Sequence, residues 1–393
     1  MKSPTIADIL SGHFDSFVAA TGPQPLHHLR VVNAITSCRT PALGGYQQQC
    51  DHCGNQLPQY FSCRNRHCPR CQSSARAQWV DDRLKEMLPV GYFHVVFTIP
   101  QQLNQFALRN KKHFYDCMFR AVKETLLELA ANPKRLGADI GFVCILHTWG
   151  QTLVEHPHIH CIVPGGGFDA TSNKWKAAHN GFLFPIPVLR KLFRGKLMAF
   201  FTQAVKTGNI LLHGSLEQYR DQQAFTTLVR ELYQKEWVVY AKAPFASPQA
   251  LVSYLGAYTH RVAIANRRIL SMENGAVAFS YRDYAEHNKE KVMQVSAIEF
   301  IRRFLLHIIP KGFRRIRYFG FMAAPVKAKR FAAVLRFFHR MLPQKKDSEK
   351  LTAAETLKKL LGFDPLKCRV CHNGRLQRIA LIPRAFMPWP VTS

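Results

Sequence analysis

Glu155-His156-Pro157-His158-Ile159-His160-Cys161-Ile162-Val163, closed by Pro164-Gly165-Gly166-Gly167, is the stretch on which the fold turns. In an extended strand, side chains two residues apart point to the same face, so His158 and His160 project together. His156 joins them if the strand starts early enough. A His-apolar-His tripeptide is weak by itself, because buried strands carry it by accident. The preceding Phe142-Val143-Cys144-Ile145-Leu146-His147 also reads as a strand, and Gly150-Gln151 between the two permits a hairpin that carries His147 over the pair. Three neutral imidazoles suit a divalent cation with positions left open for a substrate phosphate.

Working outward, Tyr92 to Ile99 is a strand rich in β-branched and aromatic residues, closed by Pro100. Residues 103–131 carry Phe106, Tyr115, Met118, Val122, Leu126 and Leu129 at helical spacing. Strand, helix, strand, strand is the opening of a split βαβ sheet, and the fold class expected is α+β with a mainly antiparallel core. Upstream, residues 5–37 read as two short helices parted by Gly22-Pro23, and a third helix runs from about Ser74 to Leu88. Downstream, helices are expected near 186–206 and 222–235, with a short apolar stretch at Asn209 to Leu212 between them. Arg190, Lys191, Arg194 and Lys196 make the first of these helices basic, which fits a solvated face as well as a DNA groove.

The charge points to the partner. Among 393 residues, 54 Lys and Arg face 25 Asp and Glu, leaving a formal charge of +29. An excess of that size suits a polyanion, and nucleic acid is the default one. No apolar run reaches the ~20 residues of a spanning helix, and the N-terminus lacks a signal-peptide core, so an intracellular protein in a reducing compartment is expected. Its eleven cysteines then read as metal ligands or buried thiols.

Most cysteines cluster early: Cys38, then Cys50-Asp51-His52-Cys53, then Cys63-Arg64-Asn65-Arg66-His67-Cys68-Pro69-Arg70-Cys71. Two Cys-x2-Cys knuckles match a structural zinc site, and Cys50, Cys53, Cys68 and Cys71 are the expected ligands. Cys38, Cys63, His52 and His67 are left over, as groups supporting the ligands, as core groups or as a second site, and spacing does not choose among these. Arg64, Arg66 and Arg70 sit where a zinc module gripping phosphates would place them. Near the C-terminus, Cys368-Arg369-Val370-Cys371 is a lone knuckle, either two plain thiols or half of a second zinc site completed from elsewhere.

Ser247-Pro248 starts a helix through Val262 that places Tyr254 and Tyr258 four apart on one face. Leu251, Tyr254, Leu255, Tyr258 and Val262 also make a stripe that a core would bury. Tyrosine is a competent nucleophile where a metal polarises the electrophile, and Arg261, Arg267 and Arg268 follow closely. Val277 to Tyr284 reads as a strand after the Asn274-Gly275 turn, and Ala297 to Ile309 as a helix. Lys311 to Tyr318, with Arg314, Arg315 and Arg317 among aromatics, suits stacking on unpaired bases, or else a buried segment with snorkelling arginines. Past Ala323 the chain reads as helical and Lys/Arg-rich up to Lys350.

Taken in order, these motifs resemble the two-tyrosine, His-hydrophobic-His (HUH) rolling-circle transposases of bacterial insertion sequences, the IS ninety-one type. The matching pieces are Ser62 to Cys71, Tyr92 to Pro100, His147 to Gln151, His156 to Cys161 with the glycines after it, Tyr254 to Arg268, and Phe300 to Gly320. The resemblance implies a metal-dependent endonuclease and strand transferase for single-stranded DNA, unpaired or with a hairpin at element ends, working through a 5′-phosphotyrosine. It implies Mg²⁺ or Mn²⁺ held by His158 and His160, with His147 as third ligand ahead of Gln151, and Tyr254 and Tyr258 as nucleophiles. Three consecutive blocks are expected: an N-terminal zinc module (1–90), the HUH nuclease (91–322) and a basic helical region (323–393). A replication initiator or relaxase would share the chemistry. A zinc-dependent DNA-binding regulator would use the tyrosines only as core.

Overall fold

The computed structural model describes residues 3–178, 183–242, 256, 263–284, 286–341, 358, 362 and 364–385. The chain opens with α1 (Ile6–Thr21) and α2 (Leu26–Thr36), a hairpin of β1 (Gly45–Cys50) and β2 (Gln56–Tyr60), and α3 (Gln72–Glu86). Next come β3 (Tyr92–Thr98), α4 (Asn104–Arg109), α5 (Lys111–Ala131), β4 (Gly141–Trp149) and β5 (Glu155–Pro164). A small hairpin, β6 (Gly166–Asp169) and β7 (Lys174–Ala177), leads to α6 (Ile186–Lys206), α7 (Gln222–Gln234) and β8 (Val239–Lys242). The final third holds β9 (Ile269–Glu273), β10 (Ala276–Asp283), β11 (Lys289–Ser296), α8 (Ala297–Leu306), β12 (Ile316–Gly320), α9 (Ala324–Phe337) and β13 (Leu376–Ile382).

Local chemistry accounts for most of these boundaries. Thr5 and Asp8 form a reciprocal capping box at the start of α1, and Gly22, with φ 81°, ends it. Asn274 and Gly275 both have positive φ, as the two-residue turn between β9 and β10 requires. The single helix expected over 103–131 is broken at Asn110. Its side chain instead accepts from the Leu211 N–H at 2.7 Å and donates to the Leu211 carbonyl at 3.1 Å, tying the 209–212 stretch to the helix break.

The chain folds into an α+β protein, but its contacts do not follow three consecutive blocks. One compact unit gathers residues 1–82, 256–308 and 345–393; the other gathers 83–255 and 309–344. In the first unit, α1 packs along α8, and the Ile6 N–H donates to the Asn266 side chain at 3.2 Å. Segments distant in sequence thus complete one another's apolar faces, which a linear division at 90 and 322 does not anticipate. This unit holds the three-stranded sheets β11-β10-β9 and β13-β1-β2.

The second unit is built on a five-stranded sheet in the order β12-β4-β5-β3-β8, with every neighbouring pair antiparallel. β5 lies between β3 and β4, which are therefore parallel to each other and joined through α4 and α5. That is the split βαβ arrangement. One face of the sheet is sealed by α5 and α6, with Phe97 against Phe193 at 4.9 Å between ring centroids.

Candidate metal centre and cysteine clusters

The pleat sorts the residues of β3, β4 and β5. The register pairs Phe97 with Ile159, Val95 with Cys161, and Cys144 with Cys161. All of these point into the core shared with α5 and α6. The alternate positions point the other way: His158 opposite His147 and Thr98, and His160 opposite Ile145 and Val96. His147, His158 and His160 converge there, with one nitrogen from each lying within 4.8 Å of the others. His156 lies on the same strand face but outside this group, and its side chain is exposed.

Hydrogen bonds select which nitrogen each ring can offer. His158 Nδ1 donates to the His156 carbonyl at 2.6 Å, and His160 Nδ1 pairs with His94 Nε2 at 2.7 Å. Nε2 is then the donor left to each ring for an ion. This is the outer-shell pattern that fixes tautomer and orientation in histidine metal sites. His147 stacks on Trp149, with centroids 4.6 Å apart. Burial pushes the His158 imidazole down to about 3, helped by repulsion from His156 and His94. Burial likewise holds His160 well below the ordinary range, with His147 and His158 adding repulsion. Both rings are therefore neutral lone-pair donors at neutral pH, which is the form a metal needs. Three imidazoles are a borderline-soft donor set that a divalent ion such as Mn²⁺ fits, and Mg²⁺ fits less well.

His94 escaped the reading of the sequence. It is 4% exposed. The available signal was a lone histidine within the otherwise apolar strand Tyr92-Phe93-His94-Val95-Val96. The other half of the expected site, Tyr254 and Tyr258, lies outside the described residues, as does Arg261.

The cysteines are brought together differently from the expected quartet. Cys50, Cys53, Cys68 and Cys71 do not share a site. Cys68 and Cys71 join Cys38 and Cys63, whereas Cys50 and Cys53 join Cys368 and Cys371. The reason is the hairpin: Cys50 and Cys53 sit at its tip, and the five residues of β2 carry the chain about 17 Å away before Cys63. In the first cluster, Cys71 Sγ lies 3.5 Å from Cys38 Sγ and 3.6 Å from Cys63 Sγ. Cys68 is drawn down to about 5, chiefly by a hydrogen bond from the Cys63 thiol. Cys63 is raised by that same bond and then by burial, and burial pushes Cys38 up to about 11. One thiolate is thus supported by its neighbours and further ones are opposed, which is the electrostatic situation a bound dication relieves. Four clustered thiols with this behaviour fit zinc. Of the remaining cysteines, Cys144 and Cys161 face each other in the core at 3.4 Å, and Cys117 is half-buried.

The expected DNA-contacting arginines are not equivalent. Arg64, Arg267 and Arg314 are exposed, whereas Arg66 is half-buried. Arg268 donates to the Ser280 carbonyl at 2.6 Å, and Arg315 is buried. Arg317 pairs with Asp116 and lies over the Phe119 ring at 4.1 Å. The Lys311 to Tyr318 stretch therefore divides, with Arg314 facing solvent and Arg315 and Arg317 drawn into the fold.

Comparisons with known proteins give the family. Residues 141–330 match the family described as "Putative transposase", and residues 9–99 match the "Transposase zinc-binding domain". The chain is 42% identical over 381 residues to "Putative transposase y4qJ" of Sinorhizobium fredii, covering 97% of this chain and 96% of that protein. This chain belongs to the IS91-type transposases. The transposase is also 27% identical over 355 residues to "Transposase for insertion sequence element IS801" of Pseudomonas savastanoi pv. phaseolicola, covering 87% of this chain and 81% of that one. A transposase acts on DNA, and the charge of +29 suits that partner. Among the described residues, no helix is long and apolar enough to cross a membrane.

Proposed function

We propose that this transposase cleaves and rejoins single-stranded DNA at the ends of its element through a 5′-phosphotyrosine, in rolling-circle transposition within the bacterial cytoplasm. The observation that carries the reading is the convergence of His147, His158 and His160 on the face of an antiparallel sheet turned away from α5 and α6. A bound Mn²⁺ or Mg²⁺ would supply Lewis-acid polarisation of the scissile phosphate.

The chain's own groups do the rest. His158 and His160 stay neutral and present Nε2, because Nδ1 of each is engaged. Tyr254 or Tyr258 loses its phenolic proton and attacks phosphorus, the P–O3′ bond breaks, and the departing oxygen takes up a proton as a free 3′-hydroxyl. Attack of a 3′-hydroxyl on the phosphotyrosine reverses the same exchange and joins strands. Two tyrosines let one hold the first cut while the other makes the second. Exposed arginines such as Arg64, Arg267 and Arg314 supply charge for the phosphate backbone.

The test is a covalent-adduct assay with labelled single strands carrying candidate ends, Mn²⁺ or Mg²⁺, and a denaturing gel. Tyr254→Phe, Tyr258→Phe, the double variant and His158→Ala/His160→Ala run beside the parent. A metal-dependent adduct lost in the double-Phe and double-Ala proteins is expected. Binding of several ends without any adduct would instead favour a regulator, and an adduct surviving in the double-Phe protein would name another nucleophile.

A further inference from the structure

The zinc-binding domain matched by residues 9–99 contains Cys38, Cys63, Cys68 and Cys71 as a complete quartet. Cys50 and Cys53 are left within that span, with partners more than three hundred residues away. We propose that Cys50, Cys53, Cys368 and Cys371 form a second structural zinc site, a zinc ribbon split between the two ends of the chain, which clasps the C-terminal strand β13 onto the N-terminal hairpin.

The two knuckles are built alike. The Cys50 carbonyl accepts from the Gly54 N–H at 3.1 Å, and the Cys368 carbonyl accepts from the His372 N–H at 3.2 Å. The residue after each second cysteine is left-handed, Gly54 at φ 69° and His372 at φ 59°. Each knuckle closes a hairpin: Cys50 N–H donates to the Asn55 carbonyl at 2.9 Å, and Cys368 N–H donates to the Gly374 carbonyl at 2.9 Å. Facing each other, Cys50 and Cys371 have their sulfurs 3.7 Å apart, and Cys53 and Cys368 have theirs 3.8 Å apart. A zinc tetrahedron with bonds of about 2.3 Å has edges of about 3.8 Å. The observed separations match that edge.

Backbone N–H groups already point at the thiolates. Val370 N–H donates to Cys368 Sγ at 3.4 Å, and Gly374 N–H donates to Cys371 Sγ at 3.4 Å. Gly374 itself has no room for a side chain. A Cβ there would lie 2.3 Å from Cys50 Sγ and 2.6 Å from the His52 Cβ.

The packing explains why a metal is needed here. β13 pairs with β1 from Gly45↔Ile382 to Cys50↔Leu376, but five of its seven residues are exposed. The apolar cluster beneath the junction has only Cys50, Cys368 and Leu376 as buried members, and two of those three are the ligands. Too little apolar surface is removed from water there to order a separate strand, and small modules in that position use a metal in place of a core. The clasp depends on sulfur ligands alone, so it stands or falls separately from the strand-transfer reading.

The first measurement is zinc content of the full-length parent protein, which is expected to hold two equivalents per chain. One equivalent or none in a folded parent would overturn the proposal without any variant. Cobalt substitution of the parent should give two equivalents with tetrahedral thiolate spectra. Cys368→Ser/Cys371→Ser should hold one equivalent and lose hydrogen-exchange protection over 376–382 while keeping it over 92–98. Gly374→Val, which removes no ligand, should lose the same equivalent. A Cys368→Ser/Cys371→Ser protein that keeps two equivalents, or keeps β13 protected, would refute the clasp.

Discussion

Replacing His94 by Phe isolates what the outer-shell hydrogen bond does for the histidine centre. The ring at position 94 lies parallel to His160, with an interplanar angle of 10° and centroids 5.0 Å apart, so phenylalanine keeps a planar aromatic ring there, though a larger one. What disappears is the 2.7 Å contact between His94 Nε2 and His160 Nδ1. His160 then loses the contact that selects which of its nitrogens carries the proton. Loss of an outer-shell partner typically lowers metal affinity about 10–100-fold, or about 1.4–2.8 kcal/mol. In the metal-free protein, leaving the buried Nδ1 without that partner costs about 1–3 kcal/mol of stability in the second unit. Mn²⁺ titration followed by the spin resonance of free aqueous Mn²⁺ reads the first quantity, and urea unfolding reads the second. His156→Ala is the control: His158 bonds to the backbone carbonyl of residue 156, not to its ring, so affinity is expected to stay at the parent value. Unchanged Mn²⁺ affinity in His94→Phe would refute the outer-shell argument. No Mn²⁺ binding by the parent would refute the metal centre itself.

Phe97→Ala should cost about 3–5 kcal/mol in urea unfolding of the same unit, because Phe97 is fully buried against Phe193; a loss under about 1 kcal/mol would mean the sheet is not sealed by α6. Arg314→Ala should lower single-strand affinity and shorten the salt slope by about 1, since this residue is exposed. Arg317→Ala should instead lower stability through Asp116 and Phe119, with little change in the slope; identical slopes for the two variants would contradict this division. Glu299 is held down from 4.5 to about 2, first by Arg302 and then by Arg303. Its folded value is depressed, so its contribution is fully present above pH 4.5 and is lost as pH falls through about 2. Glu299→Gln should therefore be less stable than the parent at neutral pH and equal to it at the acid end, and a gap independent of pH would argue against these ion pairs.

Much of the second unit was legible from local pattern. The apolar run of Phe142 to His147, the spacing of two between the histidines from His156 to His160, and the helical periods around 103–131 and 186–206 are properties of neighbouring residues. They appear in the structure as β4, β5, α4 with α5, and α6. The pairing of His147 with His158 follows from a hairpin, and hairpins are local. The strands β1, β2, β11 and β13 gave little signal, because they bury few apolar residues of their own and are held by pairing with partner strands.

The sequence by itself determined that the chain is α+β, that it carries a His-hydrophobic-His strand and paired cysteine knuckles, and that its charge suits DNA. Each of these rests on composition or on spacings of a few residues. Only the tertiary structure decided which cysteines share a site, that residues 256–308 and 345–393 belong with the N-terminus, and that His94 supports His160. Those outcomes depend on chain closure over tens to hundreds of residues. A Cys-x2-Cys knuckle presents the same two sulfurs to any partner, and the path of the backbone, here the length of β2 and the return of β13, selects the one it meets.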